Sequence, residues 1–559
     1  MTLAERLQPF QTGPQSPLWR TGEPGSLGAV DGTLVDGLMR TARRWPDRVA
    51  IHYHGARITY GRLLADVEAM AGALAAQGLR PGDRVIIDMQ NSPQFIIAFH
   101  AVLRANGVVV PVNPMNTLDE IAYFATDSGA RLAIVGEELL DRFTPHLGTL
   151  FDGLIRARYV DMADPDAADL PDVMRAPRLP DQDGCIDMAD LLARRLDAPD
   201  FVAGPDDLAI LPYSSGTTGR PKACMHLHRG AHFVAAAQVR WYGIDETSVM
   251  TCFMPLFHVA GMMASMATGL LAGASLIVTT RWNAAAIPDI FRTLRPTWWS
   301  AAPTMVVDVL ASPGFDGDVF SSLKVMTGGG SSMPAAVANR LLREWGLRFC
   351  EGYGLTETIS ATHINALDAP RPQCLGLPIH DTHAIVVDPD TLAPLEQGQA
   401  GEILISGPQV MAGYWNRPEA TAETLIERDG RIWLRTGDLG HVDGDGCFFI
   451  TDRIKRMINV SGYKVWPAEV EMTLHDHPAV AECAVISAPD PRRGEVARAI
   501  IVPVAGMTLT SDQLQTFVRE RLAAYKVPRQ IEFREALPRS GTRKVDWRSL
   551  QTEAWRESE

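Results

Sequence analysis

Cysteine is scarce in this chain, with seven residues in 559 and no Cys-x-x-Cys pair. That argues against a disulfide framework and for reduced thiols in a cytoplasmic protein. Basic charge is short as well. The 52 Lys and Arg residues stand against 66 Asp and Glu, a formal charge of −14, which speaks against general nucleic-acid or anionic-membrane binding. Met1–Ser26 mixes Pro and Gly with polar residues and contains no signal-peptide core. No repeat of solenoid period is present. One stretch lacks charge altogether: Thr247–Thr280 is longer than the roughly 20 residues a spanning helix needs. Pro255 and His258 interrupt its first half, and Gly261, Gly269 and Gly273 dilute the rest. The expectation is a buried helix leading to a strand at Ser275–Thr279, and no membrane span.

What is present is ordinary for a globular protein, at 46% hydrophobic and 21% charged residues, over a length of roughly three to four folding units. Val49–His54 and Arg57–Tyr60 read as a short strand pair. Tyr60–Gln77 has helical period, Pro81-Gly82 turns into a strand at Arg84–Met89, and the helical Ser92–Asn106 leads to a strand at Val108–Val112. This βαβ rhythm predicts largely parallel sheets covered by helices. Asp164–Pro205, rich in Asp, Pro and Ala, reads as a surface excursion. Beyond Arg435 the style changes to short strands and turns, with Pro467 opening a helix. Strands are expected at Val480–Ser487, Ala497–Val504 and Arg529–Phe533, and a helix at Ser511–Leu522. The fold class is therefore α/β: a large N-terminal domain of mostly parallel sheets over residues 1–452, and a small, mobile α+β domain over 453–559.

After the apolar run Leu208–Tyr213 comes Tyr-Ser-Ser-Gly-Thr-Thr-Gly-Arg-Pro-Lys, residues Tyr213–Lys222. Gly216 and Gly219 permit close backbone approach, Ser214, Ser215, Thr217 and Thr218 supply hydroxyls, and Lys222 supplies a mobile positive charge. Such a loop suits a polyphosphate. It is not a Walker loop, because the glycine spacing differs and Pro221 precedes the lysine.

In its order of residues this loop resembles the signature of the adenylate-forming enzymes, the superfamily of acyl-CoA synthetases, adenylation domains and firefly luciferase. Further segments resemble that family in the same order: Phe253–Gly261, Met326–Ser332, Glu351–Thr358, Arg435–Leu439, Asp452–Glu471 and Pro538–Lys544. The resemblance implies ATP, Mg²⁺ and coenzyme A as co-substrates. It assigns ATP to the loop Ser214–Gly219 with Lys222, and to Gly329, Gly330, Ser331, Glu351, Gly352, Tyr353 and Gly354. Thr356, Asp438, Ile450, Arg453 and Lys544 complete the nucleotide set. Glu357 is implied to hold Mg²⁺, Asp438 the ribose hydroxyls, and Lys544 the meeting substrate carboxylate and α-phosphate. His258 is implied to border the acid, with Val259, Ala260, Met262, Met263, Met326 and Gly328. A helix presents only one of two adjacent residues to a given wall, so Met262 and Met263 are expected to face different surroundings. Lys455 falls at the interdomain hinge, and Ser461, Gly462, Tyr463 and Lys464 fall where coenzyme A is received. His226 and His228 form a His-x-His pair without further ligands and read as structural.

The sequence departs from the family at two places. Arg543 stands where a glycine is usual before the terminal lysine, and Ala223 replaces a glycine after Lys222. Neither removes a charged catalytic group. The reaction these features imply is ATP-dependent activation of an apolar carboxylic acid, with a fatty acid preferred, and transfer of the acyl group to coenzyme A. The alternatives are an aryl carboxylate, transfer to a carrier protein, and a non-catalytic nucleotide or acyl sensor. Phe257 is followed by His258 rather than an aspartate, which disfavours an amino-acid substrate. The composition leaves a homodimer open.

Overall fold

The computed structural model describes residues 14, 16–28, 30, 32–214, 220–329, 333–460, 463–490, 492–539 and 545–557. Packing divides the chain into two compact units. The first comprises 1–384, 405–434 and 445–447, and the second 385–404, 435–444 and 448–559.

The first unit contains two large sheets. One has seven strands in the order His226–Leu227, Leu208–Ile210, Val108–Pro111, Arg84–Asp88, Leu132–Gly136, Gly153–Ala157 and Cys185–Asp187. All are parallel except His226–Leu227 at the edge. The expected βαβ rhythm accounts for its centre: a helix over Tyr60–Ala76 precedes the strand Arg84–Asp88, and a helix over Pro93–Arg104 leads to Val108–Pro111. Ser92 starts the second of these, accepting a hydrogen bond from the Phe95 amide at 3.2 Å with Pro93 in the first turn. Its residues Pro93–Leu103 are all buried, as an apolar run on every face requires.

The other sheet has nine strands and runs parallel from Val49–Tyr53 to Phe349–Gly354. Antiparallel strands close it at both edges. Asp164–Pro205 is more than a surface excursion. Its segment Cys185–Asp187 extends the seven-stranded sheet by pairing with Gly153–Ala157, and Met188 and Leu191 are buried behind it. Three residues ending in an aspartate are too short to show a period of two.

The charge-free stretch holds the expected buried helix leading to a strand, with a further strand before it. It contains a strand at Val249–Cys252, then a π-helix over Ala260–Ala267 that continues as an α-helix to Ala272, then a strand at Ser275–Val278. Gly273, at φ +81°, ends the helix. No helix among the described residues is long and apolar enough to cross a membrane.

In the second unit Gly494–Pro503 is the central strand of a five-stranded sheet, paired as a hairpin with the edge strand Val480–Asp490. Gln530–Phe533 pairs in parallel with Gly494–Pro503, and Ile458–Val460, itself paired with Tyr463–Val465, meets the same strand at Gly494. Helices Pro467–His475, Ser511–Arg519 and Trp547–Arg556 belong to the same unit. None of the seven cysteines forms a disulfide.

Candidate active site

The hydroxyl-rich loop is carried by a pair of short arms. Tyr213–Ser214 pairs antiparallel with Lys222–Ala223, Lys222 lying opposite Ser214. The apolar run before the loop is not one strand. Leu208–Ile210 belongs to the seven-stranded sheet, and Pro212, which has no N–H to give a ladder, separates it from Tyr213–Ser214. Ser215, Gly216, Thr217, Thr218 and Gly219 lie outside the described residues, as do Gly330 and Ser331.

A second segment, Met411–Trp415, is laid along the outgoing arm. The Met225 amide donates to the Gly413 carbonyl and the Ala412 amide to the Met225 carbonyl, each at 2.8 Å. The Trp415 amide donates to the Ala223 carbonyl at 2.9 Å. The same segment meets the turn carrying Thr356 and Glu357, because the Met411 amide donates to the Glu357 carbonyl at 2.9 Å. From the other side the His226 Nε2 donates to the Thr356 carbonyl at 2.7 Å. Burial lowers His226 to about 4, so the ring is a neutral donor near neutral pH. His226 is therefore structural, as expected, but what it holds is the turn of the candidate metal ligand.

That turn, a single 3₁₀ turn over Thr356–Thr358, is followed by Ile359 at φ +52°. A β-branched side chain in the left-handed region is strained. The fully buried Ile359 side chain and the hydrogen bonds on either side of the turn hold it there. Lys222 and Glu357 are linked through Tyr414. The Lys222 Nζ lies 5.0 Å from the centroid of the Tyr414 ring, and the Tyr414 hydroxyl donates to Glu357 Oε1 at 2.9 Å.

The remaining residues of this unit lie on two neighbouring parallel strands, Val325–Gly329 and Phe349–Gly354, with Gly328 opposite Glu351 and Gly329 opposite Gly352. Thr356 and Glu357 follow directly at the carboxyl end of the second strand, the end where open parallel sheets place their ligands. Gly328 and Gly329 lie where the strand packs closely on neighbouring backbone. A Cβ on Gly328 would lie 2.1 Å from the Ala301 carbonyl and 2.4 Å from the Phe349 ring. One on Gly329 would lie 2.4 Å from the Gly352 carbonyl. Tyr353 is buried with its ring 5.7 Å from that of His363.

Glu351 uses one carboxylate oxygen locally, accepting from the Met333 amide at 3.0 Å and the Gln373 amide at 3.3 Å. Burial pushes its pKa from 4.5 up to about 7. The folded state then binds the proton more tightly than the unfolded chain. The resulting cost is absent below about pH 4.5, grows as pH rises to about 7, and is constant above that. Glu351→Gln keeps the accepting oxygen and removes the titration. Urea midpoints between pH 4 and 8 should show the variant gaining on the parent across that window, by on the order of 3 kcal/mol. A difference independent of pH would contradict the assignment.

Around His258, the Asn91 amide nitrogen donates to the Met254 carbonyl at 3.0 Å, and Asn91 Oδ1 accepts from the Leu256 amide at 2.8 Å. His258 is half-buried, and its Nδ1 accepts from the Ala260 amide at 3.2 Å. Met262 and Met263 are both fully enclosed and share one core with Leu256, Val259 and Met266. Met326 belongs to another core, with Phe253, Trp299 and Phe349. Met262→Trp and Met263→Trp should therefore both lower the melting temperature, each through overpacking worth about 1–3 kcal/mol. A variant that melts normally while accepting shorter acids would instead mark a pocket wall.

In the second unit, Asp438 and Arg453 are register partners, and Arg453 Nε lies 2.8 Å from Asp438 Oδ1. The two residues expected at the ribose and phosphate hold one another here. Ile450, on the same strand as Arg453, is partly exposed. Lys455 is in a 3₁₀ turn over Ile454–Arg456. Asp452 braces that turn, accepting from the Arg453 and Ala468 amides, each at 2.6 Å, and so ties it to the start of the helix Pro467–His475. Tyr463 is 60% exposed and stacks on Tyr525 at 4.9 Å. Lys464 lies in the strand Tyr463–Val465, while Ser461 and Gly462 lie outside the described residues. Lys544 and Arg543 also lie outside them. The segment carrying these two is flanked by an antiparallel bridge between Arg539 and Val545.

Comparison with known proteins adds three findings. The AMP-binding enzyme family matches residues 38–415, and the AMP-binding enzyme C-terminal domain matches residues 469–544. Among curated relatives, a feruloyl-CoA synthase of Amycolatopsis sp is 36% identical over 91% of this chain and 96% of its own length. A long-chain-fatty-acid–CoA ligase of Bacillus subtilis is 33% identical over 95% and 96%. Among solved structures, ATP-bound MatB from Rhodopseudomonas palustris superposes with a TM-score of 0.83 at 28% identity, covering 93% of this chain and 98% of that one.

Proposed function

The chain belongs to the AMP-binding enzyme family and is an AMP-forming carboxylate–CoA ligase; from that premise we propose that it activates an apolar monocarboxylic acid, a fatty acid first, in two half-reactions. In the first, a carboxylate oxygen attacks the α-phosphorus of ATP. The bond to the β-phosphate oxygen breaks, and pyrophosphate leaves with the electron pair. In the second, the thiol of coenzyme A, losing its proton, attacks the acyl carbon. AMP leaves and a thioester is formed.

The observation that carries this reading is that Lys222 and Glu357 flank a single phenol beside the arm Lys222–Ala223. Lys222 and the hydroxyl-rich loop would take the β- and γ-phosphates as they become the leaving group. Glu357 would supply a carboxylate oxygen to the Mg²⁺ that arrives with the nucleotide. No group of three or more His, Cys, Asp or Glu able to hold a metal ion occurs among the described residues. A single hard oxygen donor suits Mg²⁺, which keeps phosphate and water as its other ligands. Thr356 would contact the α-phosphate, and Lys544 would neutralise the two anions as they meet. The ribose would be taken by Asp438, with Arg453 turning to phosphate. Residues 453–559 would then rotate about Lys455 to bring Ser461–Lys464 to the acyl-adenylate. Seven cysteines without a disulfide accord with a reducing compartment.

An aryl carboxylate is the second reading, favoured by the identity to a feruloyl-CoA synthase. A panel of straight-chain and aryl acids, scored by coenzyme A-dependent AMP release, separates the two. Turnover of fatty acids with hydroxycinnamates inert supports the first reading, and the reverse supports the second. AMP release with neither class would reject an apolar acid.

A further inference from the structure

We propose that Tyr414 is a positioning residue that orients the Glu357 carboxylate for the metal and seats the Lys222 ammonium for the phosphates. This rests on the roles proposed above for those two residues. Opposite charges this close to a shared group tend to collapse onto one another, which would take the ammonium from the phosphates and the carboxylate from the metal. Neither Lys222 nor Glu357 makes an ion pair within 4.0 Å with a described residue. The phenol lies between them instead. Its ring face attracts the ammonium without offering a competing anion. Its hydroxyl occupies Glu357 Oε1 and leaves Oε2 for the metal.

The chain builds this position deliberately. Tyr414 is 8% exposed, and its amide donates to Thr421 Oγ1 at 2.9 Å. Tyr414 bridges to Cys224, two residues after Lys222. The preceding Gly413 has φ +145°, where a side chain is strained, and a Cβ there would lie 2.7 Å from the Thr421 methyl group.

The test uses the full-length enzyme and two variants. Tyr414→Phe keeps the ring and loses the hydroxyl, whereas Tyr414→Leu loses both. Binding of Mn²⁺ in the presence of α,β-methylene-ATP, followed by the free Mn²⁺ signal in electron paramagnetic resonance, should weaken about tenfold in Tyr414→Phe. Affinity for α,β-methylene-ATP in EDTA should be unchanged in Tyr414→Phe and weakened roughly three- to tenfold in Tyr414→Leu. The effect of Tyr414→Phe on Mn²⁺ should vanish in a Glu357→Gln background. Unchanged Mn²⁺ binding in Tyr414→Phe would overturn the proposal. So would an equal loss in both backgrounds, or failure of Tyr414→Phe to fold, since either makes the hydroxyl a structural group. A parent enzyme that binds the nucleotide but forms no acyl-adenylate would count against the proposed function and leave these binding results standing.

Discussion

Lys544→Ala is expected to cut acyl-adenylate formation from ATP and acid by about 10²–10³-fold, while thioester formation from a supplied acyl-adenylate stays within a few-fold of the parent. The asymmetry follows from charge. Two anions approach only in the first half-reaction, and a single ammonium between them stabilises the developing transition state. Once the adenylate exists that need is gone. Pre-steady-state quench experiments on each half-reaction measure the two rates separately. Equal losses in both would contradict the role. A silent Lys544→Ala would point to Arg543, which stands where the family usually has glycine, as the group that has taken over the charge.

Lys455→Pro is expected to give the opposite pattern. Proline locks φ near −65°, within the range a 3₁₀ turn uses, so the turn over Ile454–Arg456 accommodates it. What it removes is the freedom of residue 455 to leave that conformation. Adenylation should survive, and the thioester step should fall by at least about a hundredfold, the penalty for a misplaced nucleophile. Comparable slowing of both steps would make Lys455 an ordinary structural position.

Much of this architecture is legible in the sequence because local signals and packing agree. The helices Tyr60–Ala76 and Pro93–Arg104 show helical period, and the strands that follow them, Arg84–Asp88 and Val108–Pro111, are buried almost throughout. The signals fail where tertiary contact decides. Gly261 reads as a helix diluter, yet a Cβ there would meet the Pro255 carbonyl at 2.3 Å; close backbone approach, not helix propensity, governs that π-helical stretch. Cys185–Asp187 is too short to announce itself as a strand. Tyr414 stands about two hundred residues from the loop it serves, in a segment with no phosphate or metal chemistry of its own. Only the pairing of Met411–Trp415 with the arm after Lys222 brings it to Glu357. Asp438 and Arg453, expected at the ribose and the phosphate, are paired with each other by the strand register.

The central claim, an adenylate intermediate formed before coenzyme A acts, is tested most directly by exchange of labelled pyrophosphate into ATP with coenzyme A omitted. The account predicts exchange that requires both the acid and Mg²⁺, and that is nearly abolished in Lys544→Ala. Exchange that needs coenzyme A, or release of ADP and phosphate in place of AMP and pyrophosphate, would contradict it.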